Sequence, residues 1–456
     1  MYRQCYRLAS APLFSSAFRR PQRGVLNGVP RVRAAPFSVS APTDGSATLF
    51  QDLGAEVDGP NLRVGSPGPS ELAKCADMLR QAAAWKMSQE DVDSLFHYGP
   101  QKGDPGFRRA LATFLSSRYG DEVLADELIP TAGATQGLAM LTSFYFSTGD
   151  VVFVEDLTFF IALEFFRKEL NLKVISIRSD SEGIIPSELK RRVDEYSSEL
   201  RTPGDERPFR AMLYCIPTYH NPTGRCLSPE RRSELVRVAR ECELLVACDD
   251  VYNLLPISPS DDQPVKMSQR LLAYDDIAPG DKTSGNVVSN GTFSKIFGPG
   301  VRLGWLEGPD RILEPLRTSH FIRGGGAVQH VVAGLAEGLI VLGLLGRHVD
   351  HCQSVFQTRA RVLDAALRKH LPAGCSWVFP EGGFFIWLRL PENVDGGELE
   401  TSVLQDNVLI FSGRNFSPDG KFNNYVRLCF TYSEEEQLSQ GAEIIGKHVR
   451  VLAESN

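Results

Sequence analysis

The sequence predicts an α/β fold with a mostly parallel sheet between helices. Three observations carry that expectation. Short apolar runs at 151–154, 210–216, 244–248 and 287–288 are bounded by turn residues, as buried strands are. The segments between them are long enough for crossover helices. Each run also leads, within a few residues, to a chemically useful group: Phe159, Asn221, Asp249 with Tyr252, and Lys295. In open α/β sheets the ligand crevice lies beyond the carboxyl ends of the strands, so these groups converge on one place.

The bulk properties exclude several classes. At 456 residues, with 42% hydrophobic and 23% charged residues, the chain has room for one large and one smaller domain. A net charge of −7 provides no basic footprint for nucleic acid. The run 331–346 is short for a membrane span and carries Glu337, so a buried helix is expected there and no membrane partner. Nine scattered cysteines with no C-x-x-C pattern read as free thiols in a reducing compartment, not as a disulfide framework or a zinc site. Residues 1–43 contain seven arginines and no acid. That is the signature of an organelle transit peptide, most often mitochondrial, and it predicts a matrix protein. The rival reading is a tail that binds an anionic surface.

In chain order, 61–70 is a Gly/Pro-rich loop before a helix that Ser70 is expected to cap, with Glu71 in its first turn. Tyr98 precedes Gly103 and a helix from Pro105. The turn T-A-G-A-T-Q (131–136) opens an apolar helix expected over 137–147, and Gly133 beside a helix N-terminus is a ready anion site. Strands follow at 151–154 and 173–177, then a charged helix and a solvated loop at 202–208. The strand 210–216 leads to T-Y-H-N-P-T-G (218–224), where a Pro-Thr-Gly turn would hold the Asn221 amide. A helix over 228–243 precedes the strand 244–248, which ends in D-D-V-Y; Asp250 is expected to cap a turn. The polar stretch 256–283 exceeds an ordinary connection and is expected to be functional or mobile.

Next comes S-N-G-T-F-S-K-I-F-G-P-G-V-R-L-G-W (289–305). A lysine that forms an imine with a carbonyl compound needs close backbone approach and an anion site beside it. Gly291, Gly298 and Gly300 permit the first, and Thr292, Ser294 and Arg302 can bind a phosphate for the second. The R-G-G-G run at 323–326 follows no strand, so it is not a dinucleotide site. An apolar helix over 331–346, a charged one to His370, a strand segment over 377–391 interrupted by Gly-Gly, shorter strands at 409–413 and 423–430, and a terminal helix complete the chain.

The lysine stretch, with N-P-T-G and D-x-x-Y ahead of it in order, resembles fold-type I pyridoxal-phosphate enzymes, the class I/II aminotransferases. The likeness runs over roughly 62–449. It implies a large domain (96–315) with a seven-stranded, mostly parallel sheet and a smaller α+β domain (316–456). Residues 44–95 would be an N-terminal arm and part of the small domain. It further implies pyridoxal 5'-phosphate on Lys295, with its phosphate held by Gly133, Ala134, Thr135, Thr292, Ser294 and Arg302. Tyr98 would reach that phosphate from the other subunit of a homodimer. Ala134 stands where the family commonly has a hydroxyl, so the 133–135 turn would contribute mainly backbone donors. Phe159 replaces the family's stacking tyrosine, and Leu157 its proline. Asn221 and Tyr252 would face the phenolate oxygen, and Asp249 the pyridine nitrogen. Arg427 would clamp the substrate carboxylate, with Gly65 and Asn221 beside it.

The implied reaction transfers an amino group from an L-amino acid to a 2-oxo acid such as 2-oxoglutarate in a ping-pong sequence. The segment 293–305 is closest in style to the 2-aminoadipate and kynurenine aminotransferases. Arg63 and Arg323 are the candidates for a distal substrate carboxylate. A carbon–sulfur β-lyase on the same scaffold, or a non-catalytic regulator, are the rival readings.

Overall fold

The computed structural model describes residues 58–262, 267–275 and 284–455. The segment read as a transit peptide and parts of 256–283 lie outside the described residues. Nine strands come first: β1 Leu128–Thr131, β2 Val151–Glu155, β3 Lys173–Ile177, the short hairpin β4 Ser179–Asp180 and β5 Gly183–Ile184, β6 Ala211–Cys215, β7 Leu244–Asp249, β8 Val287–Thr292 and β9 Gly304–Glu307. Seven of them form one sheet in the order β1-β9-β8-β7-β6-β2-β3. Its β3-β2-β6-β7-β8 run is parallel, and β9 lies antiparallel between β8 and β1.

Burial on both faces explains why these strands read as unbroken apolar runs. Val152, Val154, Met212, Leu245, Ala247 and Val288 belong to one core, while Val151, Phe153, Leu213, Leu244, Val246 and Val287 belong to another. Successive side chains thus alternate between the faces, as a pleated strand requires.

The helices follow their expected places with corrected ends. Helix Ala134–Tyr145 begins three residues earlier than expected, directly after Gly133 with φ +86°. The helix expected over 228–243 is Pro229–Glu241, capped by Ser228, which accepts from the Arg231 N–H at 3.3 Å. Ser70 does not cap its helix. That helix is Pro69–Met87, its cap is Gly68 without a side-chain bond, and proline at the first position presets the backbone. The Ser70 hydroxyl instead bonds Glu71 at 2.8 Å and Glu434 at 2.7 Å. The apolar helix expected over 331–346 stops earlier, as His330–Val341, and the charged helix that follows is Leu344–His370; the two are bent by 75° where Gly343 takes φ +65°. Among the described residues no single helix is long and apolar enough to cross a membrane.

A second, antiparallel sheet has the order β10-β12-β11, with β10 Phe385–Arg389, β11 Phe411–Ser412 and β12 Tyr425–Cys429. Of the stretch 377–391 only β10 is a strand, because Gly383 turns at φ +74° just before it. Helix Leu344–His370 and the terminal helix Glu435–Ser455 share a core with this sheet through Phe356, Leu363, Ile386, Leu428 and Ile445. The strap 61–68 is stitched along its edge: the Leu62 N–H donates to Leu409 O at 2.8 Å, and the Cys429 N–H to Leu62 O at 2.7 Å. All eight described cysteines are free, as expected.

Candidate active site

Asp249 closes β7, so the strand carries its carboxylate to the carboxyl end of the parallel sheet. The Tyr214 hydroxyl donates to its Oδ2 at 2.7 Å. Burial pushes the Asp249 carboxyl up to about 6, against the pull of that hydrogen bond and of Lys295. Asp250 does not act chiefly as a turn cap: it is buried and accepts from the Ser289 hydroxyl at 2.6 Å, tying β7 to β8.

Lys295 stands three residues beyond β8, and its Nζ donates to the Gly65 carbonyl at 2.7 Å. Burial lowers its pKa to about 8; Asp249 and Cys429 oppose that, while Arg427 and Arg302 reinforce it. A Cβ on Gly65 would meet the Phe385 ring at 2.7 Å, so only glycine lets the strap come this close. Tyr252 is buried with its phenol pKa pushed up, and its ring lies 6.0 Å from Nζ.

Beside the lysine, the segments after β1 and from the end of β8 onward bring Gly133, Thr292, Ser294 and Arg302 together. Thr292 Oγ1 accepts from the Ser294 N–H at 3.2 Å and donates to Ser294 Oγ at 3.0 Å, so it shapes the turn that presents Ser294. Arg302 reaches Ser294 Oγ at 3.5 Å and the Ala132 carbonyl at 3.3 Å. A Cβ on Gly133 would stand 3.0 Å from the Arg302 guanidinium, at the N-terminus of helix Ala134–Tyr145. Ala134 is half-buried there, and Thr135 is exposed with no hydrogen bond among the described residues.

Opposite, Arg427 lies buried in β12. Its Nη1 donates to Asn221 Oδ1 at 3.1 Å and its Nη2 to the Arg63 carbonyl at 2.6 Å, while Nε has no partner. The guanidinium carbon is 4.0 Å from the Phe385 ring centroid and 4.8 Å from that of Phe416. Burial lowers the Arg427 pKa to about 10. Lys295, Arg302 and Arg427 form no ion pair among the described residues. Of the three only Arg427 is buried, and a buried, uncompensated cation costs several kcal/mol, which a carboxylate would offset.

The other expected residues divide. Phe159 ends the loop after β2, half-buried and edge-on to Phe160 at 5.3 Å, packed against two apolar clusters. Tyr98 is 89% exposed and joins none of these contacts. Arg323 is exposed in the short helix His320–Arg323. Arg63 lies over the Phe411 ring at 4.9 Å and 3.5 Å from Glu400. Sequence reasoning missed Tyr214, although a phenol in the otherwise apolar β6 needs a buried partner. It also missed Phe385, for which no signal exists in one sequence.

The donor set fits pyridoxal phosphate. A helix N-terminus with a hydroxyl and an arginine in no ion pair among the described residues suits the phosphate, a neutralisable lysine the aldehyde, and the half-buried Asp249 carboxylate a protonated ring nitrogen.

Residues 62–445 match the family model described as aminotransferase class I and II. Aromatic-amino-acid aminotransferase 1 of Thermococcus litoralis is 28% identical over 356 residues, covering 77% of this chain and 79% of the relative. The mitochondrial kynurenine/alpha-aminoadipate aminotransferase of Mus musculus is 24% identical, covering 86% and 91%. Among solved structures, the kynurenine aminotransferase of Pyrococcus horikoshii, in complex with PMP, is similar with a TM-score of 0.76 at 26% identity, covering 88% of this chain and 93% of that one.

Proposed function

For this chain, which belongs to the class I and II aminotransferases and is a pyridoxal-phosphate-dependent transaminase, we propose a ping-pong exchange between a large L-amino acid and a 2-oxo acid. The donors favoured are 2-aminoadipate, kynurenine or another aromatic amino acid, with 2-oxoglutarate as acceptor. The observation that carries this reading is the gathering of two cations, the half-buried Lys295 and the buried Arg427, neither in an ion pair among the described residues, with the half-buried carboxylate of Asp249.

Gly133, Ala134, Thr135, Thr292, Ser294 and Arg302 would hold the cofactor phosphate, Phe159 would cover the ring face, and Asn221 and Tyr252 would face its phenolate oxygen. Bound there, the cofactor supplies the electron sink that makes the substrate Cα–H acidic. Asp249 keeps the ring nitrogen protonated, a charge its burial favours pairing. Arg427 exchanges the Arg63 carbonyl for the substrate carboxylate, gripped through two N–H groups beside Gly65 and Asn221. The Lys295 amine, neutral above about pH 8, then moves the Cα proton. In this reading 96–315 form the cofactor-binding domain, and 316–456 with 44–95 the smaller one and its arm. The protein acts as a homodimer with Tyr98 reaching the neighbouring site, and residues 1–43 direct it to the mitochondrial matrix.

The test is a single-turnover absorbance scan of cofactor-loaded protein against a panel of amino acids. The near-visible band should disappear fastest with the true donor, and Lys295→Ala should stay folded without turnover. Normal turnover by that variant would sink the assignment. Released ammonia and pyruvate would identify a lyase instead.

A further inference from the structure

A cavity of about 230 Å³ lies beyond the carboxyl ends of β2 and β6, with Trp387 and Tyr425 of the second sheet on its far side. Neither Lys295, Asp249 nor Arg427 lines it. Its aromatic wall is Trp387, Phe422 and Tyr425. Trp387 and Tyr425 stack with centroids 5.3 Å apart at 16°, and Phe422 stands edge-on to Tyr425 at 5.6 Å. Trp387 is the register partner of Arg427, so the wall continues the sheet face that carries the substrate clamp.

Three carboxylates face this cavity, and two are already answered. Glu155 accepts from the Ile216 N–H at 2.9 Å and lies 3.3 Å from His220 Nε2. Asp180 is paired with Arg231 at 3.0 Å. Asp156 is in no ion pair among the described residues. Burial pushes its carboxyl up, offset by hydrogen bonding from Ser179 and by the charge of Lys421. The remaining basic side chain on the wall, Arg225, belongs to the turn after Asn221. A cavity with aromatic rings on one side and, on the other, a carboxylate hydrogen-bonded by Ser179 but in no ion pair among the described residues is the chemistry that recognises a soft cation.

We propose that this cavity is a second ligand site, separate from the catalytic pocket, which takes a compact organic ammonium ion with an apolar body between the Trp387–Tyr425–Phe422 wall and Asp156. The aromatic quadrupoles and the carboxylate act on the same charge, and the volume admits a small ligand only.

The probe is phenyltrimethylammonium, which has no N–H and cannot react with a carbonyl cofactor. It is titrated into cofactor-loaded protein and followed by tryptophan fluorescence and by calorimetry. The chain has four tryptophans, so Trp387→Phe isolates the reporting residue. The expected result is a saturable fluorescence change that Trp387→Phe removes, at least tenfold weaker binding to Asp156→Asn, and no displacement by an amino donor. Should Asp156→Asn fail to fold, Tyr425→Leu takes its place with the same expectation. The proposal is overturned by the absence of saturable binding in both measurements, by equal affinity in the variants, or by competition with the amino donor, which would put the probe in the catalytic pocket.

Discussion

At the residue scale the site gathers Asp249, Lys295, Arg302 and Arg427, charges that form no ion pair among the described residues. Lys295 shows the consequence for pH. Its pKa is lowered by burial to about 8, so the amine is protonated below that pH and neutral above it. Only the neutral form attacks a carbonyl. Capture of added pyridoxal phosphate by cofactor-free protein should therefore accelerate as pH rises towards 8 and level off above it, as followed by growth of the near-visible band. A rate that falls over that range would contradict the assignment. Arg427 makes a second prediction. Lysine keeps the charge but loses the planar fork that meets a carboxylate with two bonds. Arg427→Lys should lower kcat/KM for every amino donor by at least tenfold, mostly through KM, and Arg427→Ala should cost about 2–5 kcal/mol of that same quantity. A variant that discriminated among donors instead would place Arg427 on the side-chain end of the substrate.

At the element scale, the strap 61–68 decides how the lysine and the clamp meet. Its carbonyls at Arg63 and Gly65 hold Arg427 and Lys295, and its Ser66 carbonyl accepts from the Thr431 hydroxyl at 2.9 Å. The strap is anchored by helix Pro69–Met87, where the buried Glu71 carboxylate pairs with Arg359 at 3.0 Å. Arg359 also bonds the Thr431 carbonyl at 3.0 Å and pairs with Glu434. Removing the carboxylate by Glu71→Ala leaves a buried guanidinium under-compensated, which costs about 3–5 kcal/mol. Chemical denaturation should show that loss, and an unchanged midpoint would mean that Glu434 alone suffices. The ends of these helices were less legible than their existence. Ser70 reads as a cap because serine is a favoured cap residue, yet proline at the first helical position and close packing of Gly68 against the Thr431 and Tyr432 carbonyls set the start earlier.

At the scale of the whole molecule, one residue assigned to the site stands away from it. Tyr98 is 89% exposed beside Phe96 at 69%, with Phe321 also exposed at 61%. An interface in the proposed homodimer would cover these side chains. Tyr98→Phe should leave the sedimentation behaviour of a dimer intact while weakening cofactor retention by about 1 kcal/mol, the worth of one hydrogen bond. A variant that retains cofactor like the parent protein would remove Tyr98 from the site.

What the sequence determined by itself was the order of the strands' cargo: Phe159, Asn221, Asp249 and Lys295 each follow an apolar run, and a parallel sheet must bring such loops to one edge. Chain-local chemistry was enough there, because each motif lies within a few residues of the strand that positions it. The tertiary structure decided everything that depends on distant partners. Tyr214 meets Asp249 only because β6 lies beside β7. Asp250 looks like a turn residue until β8 brings Ser289 against it. Arg427 and Asn221, 206 positions apart, share a hydrogen bond that no local pattern encodes. The lowered pKa of Lys295 likewise arises from burial, a property of the packed molecule and not of the lysine's neighbours in the chain.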